Sequence, residues 1–174
     1  ETFQVFARIR REAALREAKA KYAETMPYQI AQVHAYRGEI DEAFEWLCDR
    51  AAGGDFLVVR ATGTDAHNPY VLDLCPGINS VATLIISSAK VANEPSVRQT
   101  IANAEVVWIA GGDQSNYITE WSGTPVQDAL NQHVAAGRPI GGTSAGLAVL
   151  TQFVYSALGS KGVTSAQALE DPYN

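Results

Sequence analysis

Apolar residues follow helical spacing in the first third of this chain and short continuous runs after it. Residues 3–24 predict a charged amphipathic helix, and residues 28–38 predict a second one that ends at Gly38, the residue type favoured just past a helix C-terminus. A third helix is predicted over residues 42–51 with Asp41 as its cap. The apolar positions of the first helix are Phe3, Phe6, Ile9, Ala13 and Ala20.

From Gly53 onward, short β-branched and apolar runs alternate with helical stretches and glycine-rich loops. The predicted buried strands are Phe56–Val59, Thr83–Ile86, Val106–Ala110 and a short run ending at Pro139-Ile140. Helices are predicted over Pro95–Ala104 and Pro125–Ala136, the latter capped by Thr124 and followed by Gly137. This alternation predicts an α/β fold with a mostly parallel sheet, whose ligand site lies beyond the carboxyl ends of the strands.

The change of pattern divides the chain into a helical segment, residues 1–52, and an α/β domain, residues 53–174. The segment from Pro27 to Ala51 resembles one tetratricopeptide repeat, through Ile30, Ala31, Gly38, Ala43 and Leu47. A single repeat must bury its apolar face on a partner, since about three are usually needed for stability. An amphipathic hairpin that packs on the rest of the chain explains the pattern equally well.

The apolar face of this hairpin needs a cover. Ile30, Val33, Phe44 and Leu47 would form an exposed apolar patch of the kind that marks an interface. We therefore expect the hairpin to pack either on the sheet or on a second copy, which makes a homodimer one of the two expectations.

The motif with the clearest chemistry is Gly142-x-Ser144-x-Gly146, between an apparent strand and an apolar helix. This is the context of a nucleophile elbow, in which glycines allow a tight turn that presents the serine hydroxyl at the edge of the sheet. The alternative is a structural glycine turn. The context favours Ser144 as a nucleophile.

A second glycine motif, Gly111-Gly-Asp-Gln114, follows the preceding strand. Backbone N–H groups of Gly112 and Asp113, with that of Ala145, are candidates for an oxyanion hole that stabilises a tetrahedral intermediate. Gln114 is then a candidate substrate contact. Alone the motif is more often a turn, but it lies one β-α unit before the elbow.

Charge and cysteine content narrow the classes of partner. The 174 residues carry a net charge of −6, with 47% hydrophobic and 18% charged residues, which is ordinary globular composition without a basic footprint for nucleic acid or anionic membranes. No apolar run approaches the roughly 20 residues of a membrane span. Cys48 and Cys75 lack metal-ligand spacing and a disulfide framework, so we expect free thiols, a reducing, cytoplasmic location and no metal site.

The segments around these motifs resemble the serine peptidases of the cyanophycinase and dipeptidase E family, within the class I glutamine amidotransferase-like superfamily. The matching segments are 54–66, Ile109-Ala-Gly-Gly-Asp-Gln114, 123–126, Pro139-Ile-Gly-Gly-Thr-Ser-Ala-Gly146 and 163–169. The resemblance implies a flavodoxin-like sheet sandwiched by helices and acyl-transfer cleavage of aspartyl peptide or isopeptide bonds, as in small aspartyl peptides or cyanophycin. It implies no metal and no organic cofactor.

Two departures from the family bear on this expectation. Family members begin with an apolar strand where this chain has the helical hairpin, so we expect the sheet to lose a central strand. The family's catalytic histidine follows the stretch that residues 163–174 resemble, so the resemblance places it beyond this sequence. A serine without a base is a weak nucleophile, and we therefore expect the chain to be catalytically incomplete.

None of the three histidines matches the family's catalytic position. His34, on the repeat-like hairpin, is expected to be a packing or surface residue, and His133, on the predicted helix Pro125–Ala136, is expected to face solvent. His67 lies in the predicted loop 62–70 after the first strand, where it could contact substrate. The acids that could orient such a histidine are Asp65, Asp73 and Asp113.

Two other functional classes compete with a peptidase. One is a non-catalytic protein, either a designed or recombined chimera or a helical-repeat interaction module fused to a remnant hydrolase domain. The other is a nucleotide-binding domain, which the sequence disfavours because it contains neither G-x-G-x-x-G nor G-x-x-x-x-G-K-[ST].

Overall fold

The structure, a computed structural model, describes residues 40–151 together with residues 154, 156, 158, 169 and 170. The predicted helices over 3–24 and 28–38 lie outside these residues, and with them His34 and the Ile30 and Val33 part of the apolar patch on the repeat-like hairpin. Only the third helix of the N-terminal segment can be compared with its prediction. Among the described residues, no helix is both long enough and apolar enough to cross a membrane.

Four parallel strands form the sheet near the predicted apolar runs, but the strand Ser80–Ile85 is half-buried or exposed throughout and is not the buried strand that the sequence predicted over Thr83–Ile86. They are β1 (Asp55–Arg60), β2 (Ser80–Ile85), β3 (Val106–Ile109) and β4 (Ile140–Gly142), in the spatial order β2-β1-β3-β4. This is the flavodoxin-like order, in which the strand order reverses between β1 and β3. The expected loss of a central strand leaves no gap, because β1 pairs directly with β3 from Phe56↔Val106 to Val59↔Ile109.

Helices cover both faces of this sheet. Their bounds are α1 (Ile40–Ala51), α2 (His67–Leu74), α3 (Ala89–Ala92), α4 (Pro95–Asn103), α5 (Gln114–Trp121), α6 (Pro125–Ala135) and α7 (Ala145–Ala148). Side chains alternate along each strand, so Phe56 and Val58 join one apolar cluster with α1 and α2, while Leu57 and Val59 join the other with α3 to α6. The predicted α/β sandwich is confirmed.

Helix α1 packs its apolar stripe directly on the sheet. The Phe44 ring lies 4.4 Å from that of Trp108, centroid to centroid, and Leu47 is fully buried. Of the two covers expected for these residues, the structure therefore shows the sheet. Ile40 is already helical, so Asp41 lies inside the helix and is not the cap that the sequence predicted.

On the other face, indole and phenol groups connect the loops to the core. Trp121 donates its indole N–H to the Ile86 carbonyl at 2.9 Å, and its ring meets that of Tyr117 edge to face, with centroids 4.5 Å apart. These contacts attach α5 to the carboxyl ends of the strands. The turn between β3 and α5 is thereby held against the sheet.

The prediction of free cysteines is wrong. Cys48 on α1 and Cys75 just after α2 form a disulfide with Cα atoms 5.9 Å apart. Two cysteines 27 residues apart do not form a recognisable disulfide pattern in the sequence, and the packing of α1 beside α2 brings them together.

Tyr70 also connects α2 to α1. It donates its hydroxyl to the Asp41 carboxylate, and this hydrogen bond raises the pKa of Tyr70 to about 12.

The prediction that His133 faces solvent is also wrong. Its side chain is buried in α6 and its Nε2 lies 3.0 Å from the Pro139 carbonyl oxygen. Burial lowers the pKa of His133, outweighing the hydrogen bond with Pro139 that raises it. The folded chain therefore favours a neutral imidazole here.

Breaking the disulfide should destabilise the fold. A bond that closes a loop of 27 residues contributes about 3 kcal/mol by restricting the unfolded chain. We expect reductant to lower the free energy of unfolding by up to that amount in urea titrations. A Cys48→Ala/Cys75→Ala double variant is the matched control and should be insensitive to reductant. A native chain equally insensitive to reductant would contradict the assignment.

Stability should fall in mild acid through His133. The unfolded imidazole takes a proton below about pH 6.5, whereas the folded one resists it, so stability is complete above pH 6.5 and is lost as the pH falls from there towards the lower folded pKa. The slope can reach about 1.4 kcal/mol per pH unit. In His133→Gln, unfolding free energies measured between pH 7 and 5 should depend less on pH. Equal slopes would rule out this role.

Candidate active site

Ser144 lies in a tight turn between the end of β4 and the start of α7. Its backbone has φ 52° and ψ −122°, a conformation that residues other than glycine rarely adopt, and its side chain is exposed. Among the described non-glycine residues, only Ala52 shares a positive φ. The turn that the sequence predicted at Ser144 is present, with the geometry of a strand-to-helix elbow.

The glycines of the motif are required by close backbone contact. A Cβ on Gly146 would lie 2.5 Å from the Ala110 carbonyl oxygen and closer still to that of Ile109. A Cβ on Gly142 would lie 2.7 Å from the Gly146 carbonyl carbon. The first turn of α7 therefore rests directly on the end of β3, which only glycines permit.

The loop after β3 runs beside the serine. A Cβ on Gly111 would come within 3.3 Å of the Ser144 Cβ, and the Thr143 N–H donates to the Ile109 carbonyl at 3.1 Å. The two glycine motifs that the sequence singled out are thus neighbours at the carboxyl edge of the sheet. Gly112 and Asp113 come directly after Gly111 in the chain, so their turn begins at this contact.

Asp113 and Gln114 begin α5. The exposed Asp113 carboxylate caps the helix by accepting from the Ser115 N–H at 2.9 Å and from the Ser115 hydroxyl at 2.7 Å, and these bonds lower the pKa of Asp113. Gln114 is the first residue of the helix and is half-buried. The Asp113 carboxylate is therefore engaged in capping the helix, and the group of Asp113 that remains available to a substrate is its backbone N–H.

Tyr117 closes the floor of the site. Its hydroxyl donates to the Ala110 carbonyl at 2.6 Å and lies 3.4 Å from the Gly111 carbonyl oxygen. Burial raises the pKa of Tyr117, while the Ala61 backbone and the charge of Arg60 lower it. The phenol therefore spans the ends of β1 and β3, where the strand order reverses.

His67 lies beyond the end of β1. It is the first residue of α2, so the loop predicted over 62–70 is wrong in its second half, where a helix forms instead. Its Nδ1 is buried without a hydrogen-bond partner among the described residues, and burial followed by the charge of Arg60 lowers its pKa. The neutral imidazole is favoured.

The two described histidines lie at different strand ends from Ser144. His133 contacts Pro139 at the amino end of β4, whereas Ser144 follows its carboxyl end. His67 follows β1, and β3 lies between β1 and β4, so the two strands are about 10 Å apart. Within the described residues, neither histidine hydrogen-bonds to Ser144. Asp65 and Asp73, considered as partners for His67, are exposed.

Two residues of this region went unnoticed in the sequence. Arg60 ends a strand whose four central residues are apolar and buried, and a charge at that position points to the carboxyl edge of the sheet. Tyr117 lies one turn after Gln114, on the buried side of α5. The signal for both was available, since polar residues that end or follow buried strands collect at this edge.

Adding a methyl group at residue 146 should disrupt the elbow. We expect Gly146→Ala to cost about 3 kcal/mol or more, because its Cβ overlaps two backbone oxygens that cannot move without shifting β3. Gly77→Ala is the control, since a Cβ there meets nothing within 4 Å. Urea unfolding of both variants decides the matter. A loss in Gly146→Ala no larger than in the control would contradict the contact between α7 and β3.

The chain matches a known protein family over the segments that carry these motifs. The model of peptidase family S51 matches residues 61–169, which include the loop after β1, the Gly111–Gln114 motif and the elbow. No curated protein matches the chain.

Among the solved structures that share the fold is that of a peptidase from an acI-B1 Actinobacterium, with 18% sequence identity and a TM-score of 0.53. The similarity covers 66% of this chain and 52% of that one, so this chain spans about half the length of the solved protein. Since the family model covers more than half of the sequence, the chain belongs to peptidase family S51.

Proposed function

We propose that this chain is the nucleophile-bearing part of a cyanophycinase-like serine peptidase, with Ser144 as the nucleophile. The observation that carries the proposal is the exposed Ser144 side chain in a positive-φ turn, beside the Gly111–Gln114 loop. Membership of a peptidase family supports it. The substrate class, aspartyl peptide or isopeptide bonds, rests on the resemblance of the sequence motifs.

In this proposal the reaction is acyl transfer. The Ser144 Oγ attacks the scissile carbonyl carbon, its proton passes to a base, and the carbonyl oxygen becomes an oxyanion. Amide N–H groups of Gly112, Asp113 and Ala145 are the proposed donors to that oxygen. In the described part of the chain they donate no hydrogen bond to another residue, and the Gly111 contact keeps the two groups of donors adjacent.

The side chain of Gln114 is the proposed substrate contact. It begins α5 at the carboxyl edge of the sheet, one residue after the proposed oxyanion donors. A primary amide can both donate to and accept from a peptide backbone. It can therefore align the scissile bond without a charge of its own.

We further propose that the described residues do not supply the base. His133 is held at the far end of β4 by Pro139, and His67 is two strands away from the elbow. Without a base, the Ser144 hydroxyl keeps the low reactivity of an ordinary alcohol. The base would then come from residues outside the described part, or from another polypeptide.

The alternative class, a non-catalytic scaffold, would use the same glycine contacts without an activated serine.

The disulfide bears on the cellular location of the protein under either proposal. Disulfides are typical of oxidising compartments, so the Cys48–Cys75 bond weighs against the cytoplasmic location that the sequence led us to expect. The cytoplasmic location stays a prediction.

The chain as given should hydrolyse aspartyl dipeptides or cyanophycin no faster than its Ser144→Ala variant. Oxyanion donors and substrate contacts alone leave about 10³- to 10⁴-fold acceleration over water in serine proteases, and an unactivated hydroxyl adds little to that. Turnover of both variants, measured at matched concentration, tests this.

A loss of a hundredfold or more on substitution would show that Ser144 is activated and would contradict the missing base. His67→Ala would then separate the described histidine from a base supplied elsewhere. Reaction with a fluorophosphonate gives an independent readout, since only an activated serine labels rapidly. Rapid labelling of Ser144 would likewise exclude the scaffold reading.

A further inference from the structure

Arg60 is held in one orientation at the edge where a ligand would bind. It is the last residue of β1, next to the point between β1 and β3 where the strand order reverses. Its Nε donates to the Thr62 carbonyl at 2.5 Å and its Nη1 to the Thr64 carbonyl at 2.9 Å. The loop after β1 therefore wraps around the guanidinium.

A glycine makes this wrapping feasible. Gly63 has φ 108°, and a Cβ there would lie 2.5 Å from the Arg60 Cζ. The backbone thus approaches the guanidinium more closely than any side chain would allow. Such a closely fitted loop reduces the entropy that Arg60 would lose on binding a ligand.

The charge of Arg60 has no anionic partner within the described residues. Its hydrogen bonds with Thr62 and Thr64 go to neutral backbone carbonyls and use two of the five N–H donors of a guanidinium. The same charge is felt across the site. Burial lowers the pKa of His67, and the charge of Arg60 adds to that effect. Burial raises the pKa of Tyr117, whereas the Ala61 backbone and then Arg60 oppose the rise. A fixed cation without a counter-ion is well suited to a carboxylate.

We propose that Arg60 is a specificity-determining residue that binds a carboxylate of the peptide substrate, on the opposite side of the β3 loop from Ser144. This subsite rests on the proposed peptidase function. One strand separates β1 from β4, so Arg60 and Ser144 start from strands about 10 Å apart. An extended peptide rises about 3.3 Å per residue, which places the carboxylate two or three residues from the scissile carbonyl.

The subsite predicts a preference for short peptides with a free C-terminus. The probes are Asp-Gly-Gly and its C-terminal amide, which differ only in that carboxylate. Binding is measured by calorimetry or NMR titration on the Ser144→Ala chain, which excludes hydrolysis. The acid should bind tenfold or more tightly than the amide, because a charge-assisted pair is lost in the amide.

Substitutions of Arg60 separate binding from loop support. Arg60→Gln should remove the preference for the acid, and Arg60→Lys should retain part of it, because lysine keeps the charge but not the planar set of donors. Arg98→Gln, at an exposed arginine on α4, is the matched control and should keep the full preference. A purely structural Arg60 would weaken acid and amide equally.

Each outcome has a distinct meaning. Equal binding of acid and amide by the Ser144→Ala chain, or an unchanged preference in Arg60→Gln, would overturn the subsite and leave the peptidase proposal standing. Failure of both peptides to bind at millimolar concentration would overturn the subsite and the proposed substrate class together.

Discussion

The close approach of α7 to the end of β3 is the contact on which the rest of the site depends. Gly146 has no side chain, so the first turn of α7 can rest on the Ile109 and Ala110 carbonyl groups. The chain between β4 and that turn must then reverse within two residues, and Ser144 takes the positive φ that this requires. The strain at one residue is offset by the packing of the strands and helices that hold it. Its consequence is an exposed hydroxyl beside the loop after β3.

The described strands form a continuous sheet because β1 pairs directly with β3. Four consecutive residue pairs join β1 to β3, and α1 covers that junction with Phe44 and Leu47. Gly141 belongs to the same fit, since a Cβ there would lie 2.7 Å from the Trp108 ring and 3.3 Å from Leu47. A helix that the sequence assigned to a separate N-terminal segment is therefore part of the core of the α/β layer. The described sheet has the flavodoxin-like strand order, which places a crevice between β1 and β3.

Local patterns in the sequence predicted the elements that are defined locally. Buried strands such as Val106–Ile109 appear as apolar runs, and Pro95 and Pro125 mark helix starts within a residue. Helix α2 was missed because it buries a single residue, Val71, and so shows little periodicity. The burial of His133 could have been predicted, because it lies at helical spacing from Val126 and Ala129. The disulfide depends on the packing of α1 beside α2, a long-range contact that spacing along the chain does not encode.

The most direct test of the proposed elbow is the backbone conformation of residue 144 in a crystal structure of the native chain. We predict φ near +50°, with the Ser144 side chain exposed and its Cβ against Gly111. The conformation should persist in the Ser144→Ala variant, because the glycine contacts impose it and not the hydroxyl. A negative φ within a regular helix, or a Ser144 side chain remote from the Gly111–Gln114 loop, would contradict the elbow and the proposed function that rests on it.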